Sequence, residues 1–224
     1  MKICLIGDSL TEGRPGVSFT KILEKKYDNV TFINLGKPGE TVKSLHERIT
    51  KTKLDTDYDL SFIWIGVNDV YSKLLSVQAQ PAMKDKEEFR EYFQNVLHIV
   101  LESSKQVVTV SPALVGENIV SPNTNEIRAL SEIIESISSI YQNVSFLNLQ
   151  SVFEKQLANV TSSDYIGTNV LRIMMDVLLY KNANRIDKLS KKRGLHYTLD
   201  GIHFNSIGAE IVAEEYANMI QRFF

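Results

Sequence analysis

The chain has 224 residues, a net charge of -2, 43% hydrophobic and 23% charged residues. That composition excludes a disordered chain, and the near-neutral balance excludes nucleic acid as a global partner. A single cysteine, Cys4, rules out an internal disulfide and a Cys-based zinc site.

Residues 2–6 form a short apolar run closed by Gly7, the pattern of a strand buried on both faces. Cys4 lies inside it and is expected to be an inert core thiol. Asp8, Ser9 and Gly13 follow in a tight turn. Helical spacing predicts a helix over 17–27, then a strand over 30–35 ending at Gly36, a turn over 37–39 and a short helix over 41–50. A third strand is predicted over 58–65, ending in Gly66-Val67-Asn68-Asp69, and a long loop then runs to about Met83. A helix over 84–104, a strand over 106–110, a helix over 123–141 and a strand over 144–149 complete an alternating series.

Alternation with short connections predicts a parallel sheet covered by helices on both faces, with right-handed crossovers. Neither a repeat nor a low-complexity linker interrupts it, so residues 1–224 read as one domain with an irregular helical insertion at about 151–198. Within that insertion, 164–180 is expected to be a helix apolar around much of its circumference. The basic stretch 181–193 after it reads as a solvated linker. The alternative for 164–193 is an acyl-pocket wall, a homodimer face or a membrane-touching surface. The N-terminus enters a strand at once, without the pattern of a signal peptide, and no uncharged apolar run is long enough to span a membrane. A cytoplasmic location is the expectation. The chain closes on Asp200-Gly201-Ile202-His203, with Asn205 as the N-cap of a last helix over 206–222.

Ligands of open α/β sheets bind beyond the carboxyl ends of the strands. Ser9, Gly36, Asn68 and the Asp200/His203 pair all fall at strand ends or helix starts. Each has an ordinary reading: Ser9 as a turn former or helix cap, Gly36 as a strand-ending glycine, Asn68 as a turn residue, His203 as a structural histidine. Together they supply what acyl transfer needs. Ser9 is the candidate nucleophile, His203 the base, and Asp200 the group that orients it. The backbone N–H groups of Ser9 and Gly36, with the Asn68 amide, are the candidate oxyanion donors. Asp8 reads as a turn former, and Asp69 as a turn residue or a support behind the site. No P-loop and no acidic metal set is present, so no cofactor or metal is expected.

These blocks carry a resemblance. Gly7-Asp8-Ser9-Leu10, Asn34-Leu35-Gly36 with Gly39, Gly66-Val67-Asn68-Asp69 and Asp200-Gly201-Ile202-His203 stand in the order of the four blocks of SGNH hydrolases, the GDSL lipase/esterase family. The G-x-S-x-G elbow of α/β-hydrolases is absent. The resemblance implies a flavodoxin-like three-layer α/β/α sandwich with a central parallel sheet of about five strands. It implies a Ser9–His203–Asp200 triad and an oxyanion hole of Ser9, Gly36 and Asn68. It also implies a ping-pong reaction on a small-molecule ester. Small or medium acyl esters come first, lysophospholipids and thioesters being included. A carbohydrate O-acetylesterase is the alternative, and a non-catalytic anion-binding module a further one.

Overall fold

The computed structural model describes residues 1–75, 81, 83–169, 175 and 182–223. Five parallel strands form one sheet in the order β2-β1-β3-β4-β5: β1 Lys2–Gly7, β2 Thr31–Gly36, β3 Tyr58–Trp64, β4 Ser104–Val110 and β5 Val144–Leu147. The apolar runs of β1 and β3 occupy the middle of the sheet and are buried almost throughout, as strands covered on both faces must be.

The helices are α1 Ser9–Glu12, α2 Phe19–Lys26, α3 Val42–Lys51, α4 Val67–Tyr71, α5 Lys86–Leu101, α6 Pro122–Ser138, α7 Leu149–Leu157, α8 Ala183–Lys192 and α9 Ser206–Gln221. The step from β1 to β2 runs one way across the sheet, and the steps from β2 onward run the other way. Right-handed crossovers therefore put α2 on one face and α3, α5 and α6 on the opposite face. The contacts agree: α2 packs on α9, α3 on α5 and α5 on α6. The result is a three-layer α/β/α sandwich.

Under the α2/α9 face lies an aromatic stack. The ring of Phe62 stacks on Tyr216 at 4.3 Å, Trp64 on Phe204 at 5.9 Å, and Phe204 on Phe153 at 5.2 Å. Phe204 is thus held between two rings, which fixes the backbone beside His203. Cys4 is fully buried, and burial pushes its thiol up to about 12.

Several elements differ from their sequence expectation. Residues 67–74 are not loop but α4 followed by a 3-10 turn over Ser72–Leu74. The strand expected from 106 begins at Ser104, because that residue pairs with Tyr58, and the preceding helix stops at Leu101. The strand expected to reach 149 stops at Leu147: Asn148 caps Ser151 N–H and opens α7. Residues 164–169 form neither helix nor strand. The N–H of Gly167 donates to the Asp200 carbonyl at 2.7 Å, and Tyr71 Oη donates to the Gly167 carbonyl, so this segment is tied to its neighbours as a strap. The rest of the expected apolar helix, 170–180, lies outside the described residues apart from Met175, and so does much of the surface considered for a partner or membrane. The basic stretch is not a linker. It folds into α8, which buries Ile186 and Ser190 and turns Arg185, Lys188, Lys191 and Lys192 to solvent. No described helix is long and apolar enough to cross a membrane.

Candidate active site

Parallel register aligns the ends of three central strands. Gly7 is level with Gly36 on β2 and with Trp64 on β3. Ser9, the 36–41 turn and the 66–69 turn therefore leave the sheet together at its carboxyl edge. Asp8 caps α1 by accepting the Leu10 N–H at 2.9 Å, and this places Ser9 at the first helical position. The Asp200–His203 turn arrives from the far end of the chain. The Thr198–Phe204 bridge closes it, and the Leu199 N–H donates to the His203 carbonyl at 2.6 Å.

This brings Ser9, His203 and Asp200 into one line. Ser9 Oγ lies 3.0 Å from His203 Nε2, and His203 Nδ1 lies 2.8 Å from Asp200 Oδ2. The other oxygen, Asp200 Oδ1, accepts the N–H groups of Ile202 at 3.1 Å and His203 at 2.8 Å. Burial by itself would raise the Asp200 carboxyl. The His203 imidazole and these hydrogen bonds outweigh it, so the carboxyl lies below its usual range. A carboxylate that stays ionised holds Nδ1 as the protonated nitrogen and leaves Nε2 to accept the Ser9 proton. All three side chains are nearly buried, Ser9 and His203 each 6% exposed and Asp200 1%.

The groups expected to bind an oxyanion are arranged differently. The Gly36 N–H donates to Asn34 Oδ1 at 2.9 Å. A Cβ on Gly36 would run into Glu12 N, Asp8 O and Thr11 C, so this glycine serves the close packing of β2 on α1. The Asn68 amide is also occupied: Nδ2 donates to Asp8 Oδ2 at 3.2 Å and to the Glu40 carbonyl at 2.9 Å. Among the described residues, neither the Ser9 N–H nor the Gly39 N–H has a partner. Gly39 has a φ of 75°, and a Cβ there would meet nothing within 4 Å. Gly39 stands one residue before the Glu40 carbonyl that holds Asn68.

That turn is rigidly held. The Glu40 carboxylate is fully buried and takes a two-pronged contact from Arg48, Nε at 2.5 Å and Nη2 at 2.7 Å, while Nη2 also reaches the Leu35 carbonyl at 3.0 Å. Glu40, Arg48 and Gly39 are the contributors that sequence reasoning passes over. The usable signal is a charged residue, Glu40, standing between a glycine and the Thr41 helix cap, with an arginine eight positions on.

Asp8 and Asp69 are more than turn formers. Asp69 Oδ2 accepts the Val42 N–H at 3.0 Å and so joins the 66–69 turn to the start of α3. Burial pushes both carboxyls up to about 7; the Asp8 charge adds to the rise at Asp69, and the Glu40 charge to the rise at Asp8. Tyr71 is 5% exposed and has its hydroxyl on the Gly167 carbonyl. His196 is a brace: Nε2 lies 3.1 Å from the Thr161 carbonyl.

The GDSL-like Lipase/Acylhydrolase family matches the sequence over residues 5–211. A search of curated proteins finds no match. Among solved structures, the acetyl xylan esterase AlAXEase superposes with a TM-score of 0.69 at 20% identity, covering 98% of this chain and 100% of that one. Axe2, an acetylxylan esterase from Geobacillus stearothermophilus, gives 0.67 at 18%, covering 97% and 92%. LAE5, an alpha/beta hydrolase enzyme from the metagenome of Lake Arreo, Spain, gives 0.70 at 15%, covering 96% and 92%. At these identities the superpositions speak for the fold, and the family match for the chemistry. The chain belongs to the GDSL-like lipase/acylhydrolase family and is a carboxylic ester hydrolase.

Proposed function

We propose that the protein is a serine esterase that works through an acyl-enzyme on Ser9. The observation that carries this is the unbroken line from Ser9 Oγ to His203 Nε2 at 3.0 Å and from His203 Nδ1 to Asp200 Oδ2 at 2.8 Å. His203 takes the Ser9 proton as Oγ attacks the ester carbonyl, then delivers it to the leaving alcohol. Water, activated by the same imidazole, releases the acid and regenerates Ser9. Asp200 orients the ring and stabilises the imidazolium.

The oxyanion is received by the N–H groups of Ser9 and Gly39, neither of which has a partner among the described residues. The Asn68 amide joins them by turning from the Glu40 carbonyl while keeping Asp8 as its second acceptor. Gly36 supports the packing under them.

The substrate is an ester with a small or medium acyl group. A second reading, O-acetyl groups on a carbohydrate, is favoured by the likeness to acetyl xylan esterases. The test is turnover of p-nitrophenyl esters from acetyl to long acyl, beside acetylated xylo-oligosaccharides, by the wild type and Ser9→Ala. Turnover that Ser9→Ala loses supports the mechanism, and the best substrate decides between the two readings. Wild-type turnover that survives Ser9→Ala refutes the mechanism.

A further inference from the structure

The loop between β4 and α6 buries a carboxylate that the reaction at Ser9 does not consume. Glu117 is 3% exposed and makes no ion pair among the described residues. Instead it collects hydrogen-bond donors. Oε1 accepts the Tyr197 N–H at 2.9 Å, the Thr198 N–H at 2.8 Å and Thr198 Oγ1 at 2.7 Å. Oε2 accepts the His196 N–H at 2.8 Å and Ser162 Oγ at 2.8 Å. Three successive backbone N–H groups thus close on one anion, the concave arrangement that backbone amides form around bound anions. Here the anion is part of the chain.

The segment so captured, 196–198, leads directly into the turn that carries Asp200 and His203. The contact is relayed further. Thr198 Oγ1, while donating to Glu117, accepts the Gly201 N–H at 3.1 Å. The neighbour of Glu117, Gly116, donates its N–H to the Gly201 carbonyl at 2.8 Å. Two consecutive residues of one loop therefore grip both the entrance and the apex of the turn. The rest of the turn is braced by its own Leu199–His203 bond and by Phe204 in the aromatic stack.

We infer that Glu117 is a positioning residue for catalysis: its buried carboxylate sets where the Asp200–His203 turn sits against Ser9. A carboxylate is required because every partner is a donor. An amide of the same shape would turn its NH2 group against donors on one side and leave them buried without an acceptor. The turn would relax away from Glu117, and His203 Nε2 would leave the line to Ser9 Oγ. Misplacement of a reacting group by about 1 Å costs roughly 10²-fold in rate. The inference rests on the Ser9 esterase reading, since it is the imidazole of that reading that Glu117 positions.

The test compares wild type, Glu117→Gln, Thr198→Val and Thr198→Ser. Hydrolysis of p-nitrophenyl acetate is measured per folded molecule, with the folded fraction taken from thermal melts. The titration of the His203 ring is followed by NMR without substrate. Glu117→Gln is expected to lower kcat about 10²-fold with KM nearly unchanged, and to move the His203 titration. Thr198→Val keeps the shape but removes the hydroxyl relay. It is expected to lose about 10-fold, and Thr198→Ser to restore most of that loss. If Glu117→Gln does not fold, the Val/Ser pair decides. An unmoved His203 titration, or per-molecule activity in Glu117→Gln and Thr198→Val equal to that of the wild type, overturns the inference. Its failure is distinct from failure of the esterase reading, which is marked by a wild type that turns over no ester.

Discussion

His203 gives both its backbone N–H and its Nδ1 to a single carboxylate, that of Asp200, each at 2.8 Å. One residue thus fixes the ring's place along the chain and its tautomer. Asp200→Asn removes the second function more than the first. The amide oxygen still accepts the backbone N–H, but an NH2 facing Nδ1 favours the tautomer with the proton on Nε2, which cannot accept from Ser9. The expected result is a folded protein with kcat lowered roughly 10³–10⁴-fold, checked by steady-state kinetics beside a thermal melt.

Asn68 offers an amide that is occupied at rest, by Asp8 and the Glu40 carbonyl. If it turns to the oxyanion during acyl transfer, Asn68→Ala lowers kcat by roughly 10²–10³-fold with little change in KM. A loss confined to KM would assign Asn68 to substrate binding instead. The same kinetics on a folded variant distinguish the two.

Gly36 and Gly39, three residues apart, answer to different physics. A methyl group on Gly36 collides with the backbone of α1, whereas on Gly39 it meets open space and bears only the strain of a left-handed backbone. Gly39→Ala is expected to cost about 1–2 kcal/mol. Gly36→Ala is expected to cost more, because the backbone of α1 must move. Denaturant melts of the two variants check the order, and equal losses would contradict it.

Asp69 links pH to stability. Its carboxyl is raised to about 7 in the folded protein, mainly by burial, against about 3.9 for an unfolded aspartate. The folded state therefore holds a proton that the unfolded state has released. This contribution is full below about pH 4 and is lost as pH rises toward 7, at up to about 1.4 kcal/mol per pH unit. Asp8, also raised to about 7, acts in the same direction. Asp69→Asn has no such proton to lose, so its melting temperature is expected to fall less than that of the wild type between pH 5 and 8. Parallel curves for the two proteins would contradict this.

The sheet was legible because β1 and the second half of β3 are apolar runs ended by Gly7 and Gly66, and turns that follow buried strands leave few alternatives to a parallel sheet. Ser9 was legible for a related reason, as part of a short polar block at a strand end, and Asp200 and His203 from their spacing of three just before a capped helix. What was not legible depends on contacts distant in sequence. Nothing local separates Gly36 from Gly39 as a donor, since the difference lies in what approaches each one, α1 or open space. The irregular path of 164–169 goes with Gly167 bonding to Asp200 and Tyr71, contacts distant in sequence. α8 resembles a linker in sequence because its buried side is narrow, with Ile186 and Ser190 against a row of exposed basic residues. Glu117 carries no motif at all, and its role exists only once residues 196–198 fold over it.

The most direct test of the central claim is covalent labelling by a fluorophosphonate, read by intact mass and peptide mapping. The account predicts one adduct per chain, on the peptide that carries Ser9, absent from Ser9→Ala and slowed in His203→Ala. An unlabelled wild type, or an adduct that persists in Ser9→Ala, would contradict it.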